Sequence, residues 1–477
     1  MKRAFIASML LPVALAAQGV RISGVTTMQL VELRPLITDS IPASSVPGTG
    51  QFRTAAFGVP AVCDSLFCHY ERSGNRISAV PVLQDLTLSA WGLAEGLSLH
   101  SDIRMRTELG GGGLIYPRVD EHFSVLDAYL QLDRDWGRAR LGRQWVTGAL
   151  GAYSFDGAEG LFTRRAWSFE GWAGRALVEG LNEPYTSSQL AAIDAIPPQQ
   201  DGYIFGALVR VRPDALSSAS ATYQRVILAD HTGMYSERAS IAASTRRFGF
   251  AFDLTGTYDF ASGDWNDARL RAVTSGMSSV GYSVEARHSQ PFFELWTIWG
   301  AFAPVGFNEA RTTVEWRPRG NPFNAGLHFA YRKYEAANAG ISLQSSGWRA
   351  GADATWRARP TVTAFGSYDL DLGNGASVAD GRAGVRWSAS QDFSAGLDAS
   401  VTQTIYEYRI GTGRVYGGGV NAALRLTPDA RVVADAGVYR QMLTNGAAGP
   451  DWSQRRVSLR LEWTAGSDPG STRGRAP

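Results

Sequence analysis

The sequence predicts an all-β chain that closes into a single transmembrane antiparallel β-barrel of about twenty strands, with roughly eighteen to twenty-two allowed. Three observations lead there. The stretch Arg456–Trp463 alternates strictly, with Val457, Leu459, Leu461 and Trp463 on one face and Arg456, Ser458, Arg460 and Glu462 on the other. Such period-2 alternation makes a strand with one apolar and one polar face, and the pattern recurs along the whole chain, separated by turns and loops. The chain also opens with an export signal, and no later stretch approaches the ~18 consecutive apolar residues of a spanning helix.

The elements follow in order. Lys2 and Arg3 give a positive start, Ala4–Val13 is a short apolar run, and Ala14-Leu15-Ala16 offers an A-x-A cleavage site. Residues 1–16 therefore read as a secretory signal peptide, too short to span a bilayer, and no cysteine follows for a lipid anchor. Residues 17–465 read as one barrel domain. Residues 466–477, rich in Gly, Ser and Pro, read as a disordered tail. The net charge of +2 gives no support for nucleic-acid binding.

Strands are expected in pairs joined by short turns on one side and longer loops on the other. The short turns are 94–96, 136–137, 213–215, 247–249, 320–322, 359–360, 391–392 and 428–430, all rich in the residues tight turns require. The longer loops are 110–121, 231–236, 292–307, 336–346 and 444–451. Trp136, Phe250, Trp316, Phe323, Trp356, Trp387, Phe393 and Trp463 lie beside the short turns, as an aromatic girdle at one membrane interface would. The first strand is expected over Val20–Arg34 and the last over Ser453–Trp463, both ends on the short-turn side, so the strand number is even. Gly148–Gln200 resists this count and reads as one long excursion on the loop side, part of which folds into the lumen as a constriction.

The apolar face is assigned to lipid, because an arginine at the bilayer midplane costs about 2–4 kcal/mol. A barrel of some twenty strands is also too wide to be filled by inward apolar side chains. At this point the chain resembles the porin-type outer-membrane β-barrels of Gram-negative bacteria. Val457, Leu459, Leu461 and Trp463 look like the terminal assembly signal of that group, here followed by a short extension. Leu141-Gly142-Arg143-Gln144 with Phe155-Asp156-Gly157 is similar to an element of several porin-like families. The resemblance implies residence in the outer membrane after signal cleavage, contact with outer-membrane lipid, and passage through the barrel-assembly machinery.

Cys63 and Cys68 are the only cysteines. So close a pair in an oxidising compartment points to a disulfide that stiffens the loop 35–79; the alternative is a metal site with Asp64 and His69, whose adjacent ligands fit a tetrahedron poorly. The other histidines, including His100, His122, His231, His288 and His328, belong to no metal or nucleophile motif, and no enzyme or cofactor is expected. The polar strand faces carry many arginines. Arg104, Arg106, Arg287, Arg311, Arg349, Arg382 and Arg386, with Asp353, are the expected pore-lining set. Two readings stand beside each other: rings of basic side chains that attract anions, or cross-strand pairs with the carboxylates of the same face that rigidify the wall. The pattern as a whole points to a diffusion channel for small hydrophilic solutes, anionic ones if the basic rings prevail. The alternative is a non-transporting surface protein that binds a partner or polysaccharide through its long loops.

Overall fold

A computed structural model describes residues 17–33, 36–54, 60–109, 122–177, 202–228, 236–274, 279–290, 305–335, 344–373, 376–407, 413–443 and 453–466. The expected signal peptide, the tail beyond Gly466 and most of the expected long loops lie outside these residues.

The described residues form strands in the order β1 (Gly19–Leu33), β2 (Leu36–Pro42), β3 (Phe52–Thr54), β4 (Pro60–Cys63), β5 (Phe67–Ser73), β6 (Ile77–Ala79), β7 (Pro81–Ala94), β8 (Leu97–Glu108), β9 (Phe123–Arg134) and β10 (Gly137–Gly148). There follow β11 (Gly151–Arg164), β12 (Trp167–Leu177), β13 (Gly202–Asp214), β14 (Ser217–Leu228), β15 (Ser236–Arg247), β16 (Phe250–Asp259), β17 (Asp264–Thr274) and β18 (Val280–Ser289). The last are β19 (Phe307–Trp316), β20 (Phe323–Tyr334), β21 (Ser346–Arg359), β22 (Val362–Leu372), β23 (Ala376–Ser388), β24 (Phe393–Glu407), β25 (Gly413–Thr427), β26 (Ala430–Leu443) and β27 (Ser453–Gly466).

From β7 onward each strand pairs antiparallel with the next, and β1 closes the ring by pairing with both β7 and β27. The result is a closed barrel of 22 strands, with β6 an added short pairing on β1. Closure removes every sheet edge, the condition a β structure must meet in hydrocarbon. At the seam, β1 and β27 pair from Arg21↔Gly466 to Glu32↔Arg455. Trp463 lies over Gly24, its register partner; a Cβ on Gly24 would sit 2.5 Å from the indole.

The large apolar side chains are exposed where the sequence puts the lipid face. Val457, Leu459 and Leu461 on β27, Leu327, Phe329 and Tyr331 on β20, and Tyr282 and Val284 on β18 are all open. In a water-soluble fold they would be buried; on a barrel wall they face lipid. All eight expected short turns fall between consecutive barrel strands. The girdle beside them is present: Trp136, Trp316, Trp356 and Trp387 are exposed, and Trp316 packs on Phe323 and Trp387 on Phe393 at 5.8 and 6.0 Å between ring centroids. The β15–β16 turn puts both Phe248 and Gly249 at positive φ, the conformation a two-residue hairpin turn needs to match strand twist.

One expectation is overturned. Gly148–Gln200 is not a single excursion: residues 151–177 form β11 and β12, full members of the wall, joined at the short-turn side by Arg165-Ala166. This adds two strands to the count of twenty and keeps it even. The part of the segment expected to constrict the lumen, 178–201, lies outside the described residues. The reason the pattern misled is chemical: on β11 the outward set includes Ser154 and Asp156, while Tyr153 and Phe155 point inward and are buried.

The first long loop is more ordered than a flexible lid. It carries a four-stranded antiparallel sheet in the order β2-β5-β4-β3, and Cys63 and Cys68 are disulfide-bonded at the β4–β5 turn. Ala43, Val46 and Ala61 pack with the bridge as a small core. Asp64 caps the turn: its Oδ1 accepts from the Phe67 and Leu66 N–H groups, which hold the carboxyl below the ordinary aspartate range. Both sulfurs are taken up in the bridge, so the alternative of a metal site with Asp64 and His69 loses its two thiolate ligands. A membrane-impermeant thiol reagent applied to intact cells is expected to label this protein only after reduction; strong labelling without reductant would contradict the bridge.

Candidate functional site: the inner wall

The residues that alternate with the exposed apolar set form the inner face of the wall. Strand register brings them into rows that run across the strands. One row reads Asp253, Arg271, Glu285, Arg311 on β16, β17, β18 and β19, with charge alternating at each step. Opposite charges placed directly across a strand pair attract, so such a row holds its own register.

The expected pore-lining residues all sit on this face, but in three kinds of environment. Some are tied into ion pairs. Arg104 makes a two-pronged pair with Asp85 at 2.7 and 3.1 Å, Arg287 pairs with Asp267 at 2.6 Å, and Arg349 pairs with Asp371 at 2.9 Å. Arg106 follows on the same face of β8 and has partners as well. Arg386 is held differently, its guanidinium 5.1 Å above the Phe365 ring. Arg311 and Arg382 make no ion pair with any described residue: Arg311 stands in the row above, and Arg382 has Ser367 and Ser400 as register partners. Asp353 lies between Gly326 and Ser367. The arginines of the first group are compensated by carboxylates of the same face, and Arg311 and Arg382 make no ion pair with a described residue.

One network spans four strands. Glu309 on β19 is almost fully buried and takes the guanidinium of Arg332 on β20; Arg332 also reaches Asp371 on β22 at 3.5 Å, and Asp371 binds Arg349 on β21. Arg332 further stacks 4.7 Å over Phe307. A similar arrangement seats the buried Glu159 on β11 between Arg138 at 2.8 Å and Arg140 at 3.6 Å, both on β10.

The missed strands β11 and β12 shape the lumen. Gly142, Gly157 and Gly174 form one inward row across β10, β11 and β12. A Cβ on Gly157 would meet the Ala173 carbonyl oxygen at 2.2 Å, and one on Gly174 would meet the Asp156 carbonyl oxygen at 2.5 Å. Backbones this close leave no room for side chains, and the wall turns a corner there. Tyr153, Phe155, Trp172, Ile204 and Val226 fill the inside of the corner as one apolar cluster. Arg238 on β15 comes within 5.7 Å of the Tyr153 ring on β11. Four strand spacings separate those strands, about 19 Å along the wall, so only tight curvature brings the two together. Leu141-Gly142-Arg143-Gln144 and Phe155-Asp156-Gly157, singled out in the sequence, are the two arms of this hairpin: Gly142 pairs with Gly157, Arg143 with Asp156 and Gln144 with Phe155. Arg143 and Asp156 make a two-pronged ion pair at 2.8 and 3.0 Å on the outer face.

No family model matches the sequence, and no curated protein matches it. Solved structures of outer-membrane proteins align with the chain. The siderophore receptor PirA from Pseudomonas aeruginosa aligns with a TM-score of 0.45 and 10% identity over 93% of this chain and 80% of that one. OccAB1 of Acinetobacter baumannii aligns with a TM-score of 0.42 and 9% identity over 95% and 99% of the two chains. A BenF-like porin from Pseudomonas fluorescens Pf-5 aligns with a TM-score of 0.42 and 6% identity over 94% and 99%.

Proposed function

We propose that this chain is an outer-membrane diffusion channel for small hydrophilic solutes, exported with cleavage of residues 1–16. One observation carries the reading: a closed wall whose outer face is apolar and whose inner face bears cross-strand rows of charged and polar side chains. Charged rows facing a lumen have no use in a dry interior, where each unpaired charge would cost several kcal/mol; in water they set which ions enter. The pairing of Arg104, Arg287 and Arg349 supports a modest preference for anions, carried by arginines such as Arg311 and Arg382. We also propose Val457, Leu459, Leu461 and Trp463, on the outer face of β27, as the determinant read by the assembly machinery.

Planar-bilayer recording tests the channel. The wild-type protein is expected to conduct, with an anion preference that fades as salt rises, because exposed fields are screened within about 8–10 Å at physiological ionic strength. Arg382→Glu is expected to shift the reversal potential toward cations with folding intact, because its register partners are Ser367 and Ser400. Arg311→Glu and Arg349→Glu are the wrong probes, since they set a second carboxylate against Glu285 and Asp371. Absence of conductance at every salt concentration would reject the channel and favour a surface protein acting through the disulfide-bonded loop sheet.

A further inference from the structure

Many charges of the inner wall face an opposite charge; one group faces its own sign. On β8 and β9, Asp102 and Asp127 are direct register partners, so two carboxylates face each other across a strand pair. That arrangement is repulsive. The neighbouring arginines are engaged elsewhere: Arg104 with Asp85, and Arg140 with Gln131 and Glu159. Beside the two carboxylates stands His100, and ligand atoms of all three lie within 4.8 Å of one another.

The surroundings fix each group in place. Ser89 on β7 is hydrogen-bonded to His100 Nδ1 at 3.1 Å, and the Tyr129 ring packs against the imidazole at 5.1 Å between centroids. With Nδ1 held, Nε2 is turned toward Asp127, 3.5 Å from its Oδ1. That oxygen is buried and accepts no hydrogen bond. Thr87 on β7 donates to Asp102 Oδ1 and orients the second carboxylate. A β-bulge on β9 sets this up: Asp102 pairs with Asp127 but the next residue, Ile103, pairs with Val125, which leaves Leu126 as the extra residue.

We propose that His100, Asp102 and Asp127 form a binding site for a divalent transition-metal ion of the zinc type on the inner wall. One imidazole and two carboxylates are a ligand set that such ions accept, and a histidine whose other nitrogen is held by a hydrogen bond is the usual form of a metal-binding imidazole. Two nitrogen or oxygen ligand atoms on a tetrahedral zinc ion lie about 3.4 Å apart, so the three groups must each draw in by about an ångström or less to close on it. The ion removes the repulsion between the carboxylates, satisfies the buried Asp127 oxygen, and keeps open positions for water or a solute group. The site does not depend on the channel reading, because its ligands come from two adjacent wall strands whether or not the lumen conducts.

Chelator-washed, folded full-length protein in detergent, titrated with Co2+ and then displaced with Zn2+, tests this. One equivalent of cobalt should bind, with visible absorption from the coordinated ion, and zinc should displace it. His100→Ala and Asp127→Asn should each weaken binding 10–100-fold or more, while His69→Ala in the loop sheet should leave the isotherm unchanged. Heat-dependent gel mobility and far-ultraviolet circular dichroism report that each variant is folded, and Asp102→Asn replaces any variant that is not. An absence of cobalt absorption at millimolar metal, or an isotherm unaltered in the folded triad variants, would overturn the site.

Discussion

Trp463→Asp is expected to leave little folded protein in the outer membrane. Trp463 stands at the short-turn end of β27, on the outer face, and lies over Gly24 of β1. It thus contributes twice, to the aromatic girdle and to the strand pair that closes the ring. Replacing a large packed aromatic with a small residue costs about 3–5 kcal/mol in a full core; a half-exposed one loses less, and a carboxylate on the lipid face near the interface adds about 0–1 kcal/mol. The sum, about 2–4 kcal/mol, is a large share of a marginal stability. Trp452→Asp, just ahead of the same strand in the sequence, should have a much smaller effect. Gly24→Leu gives an independent reading of the seam, because its side chain would occupy the space of the indole. Heat-dependent gel mobility of outer-membrane fractions measures all three; equal loss for Trp463→Asp and Trp452→Asp would remove the special role of the terminal strand.

Arg332→Leu is expected to cost about 3–5 kcal/mol, because it strands a buried carboxylate. Glu309 keeps only a few per cent of its side chain open, and Arg332 is the partner that compensates it. The double variant Arg332→Leu with Glu309→Leu should recover most of that loss, since a buried pair replaced by apolar residues of similar size is often neutral. Arg349→Leu, at the more exposed end of the same network, should cost far less. Urea unfolding in lipid vesicles measures the series. A double variant as unstable as Arg332→Leu would mean that Arg332 acts through its stacking on Phe307 instead.

Much of the barrel was legible because most strands obey one rule, apolar out and polar in. Glu285, Arg287, Arg311 and Arg349 could be placed on the inner face from parity alone, and the short turns announced themselves by Gly, Pro, Asn and Asp. Residues 164–175 read as strand-like in sequence but do not count into the wall there, because β11 and the second half of β12 break the rule. Tyr153, Phe155 and Trp172 turn inward to fill a corner, and Asp156 turns outward to meet Arg143. Which arginines are paired was not legible either, since parity gives a face and not a neighbour; Arg349 and Arg311 look alike in sequence and differ only once register sets Asp371 within reach of the first. His100, Asp102 and Asp127 escaped for a related reason. They sit on two strands separated by a long loop, and a bulge at Leu126, which no residue type advertises, decides that Asp127 meets Asp102.

The corner at Gly142, Gly157 and Gly174 changes what a strand count means. The number of strands fixes the perimeter of a barrel, because each adds about the same width of wall. The open area that a perimeter encloses is greatest for a circle and falls as the outline is folded. Three glycines in one row, with aromatic side chains packed into the fold, reduce that area without removing a strand and without inserting a separate body into the lumen. A wide ring and a small open cross-section are therefore compatible.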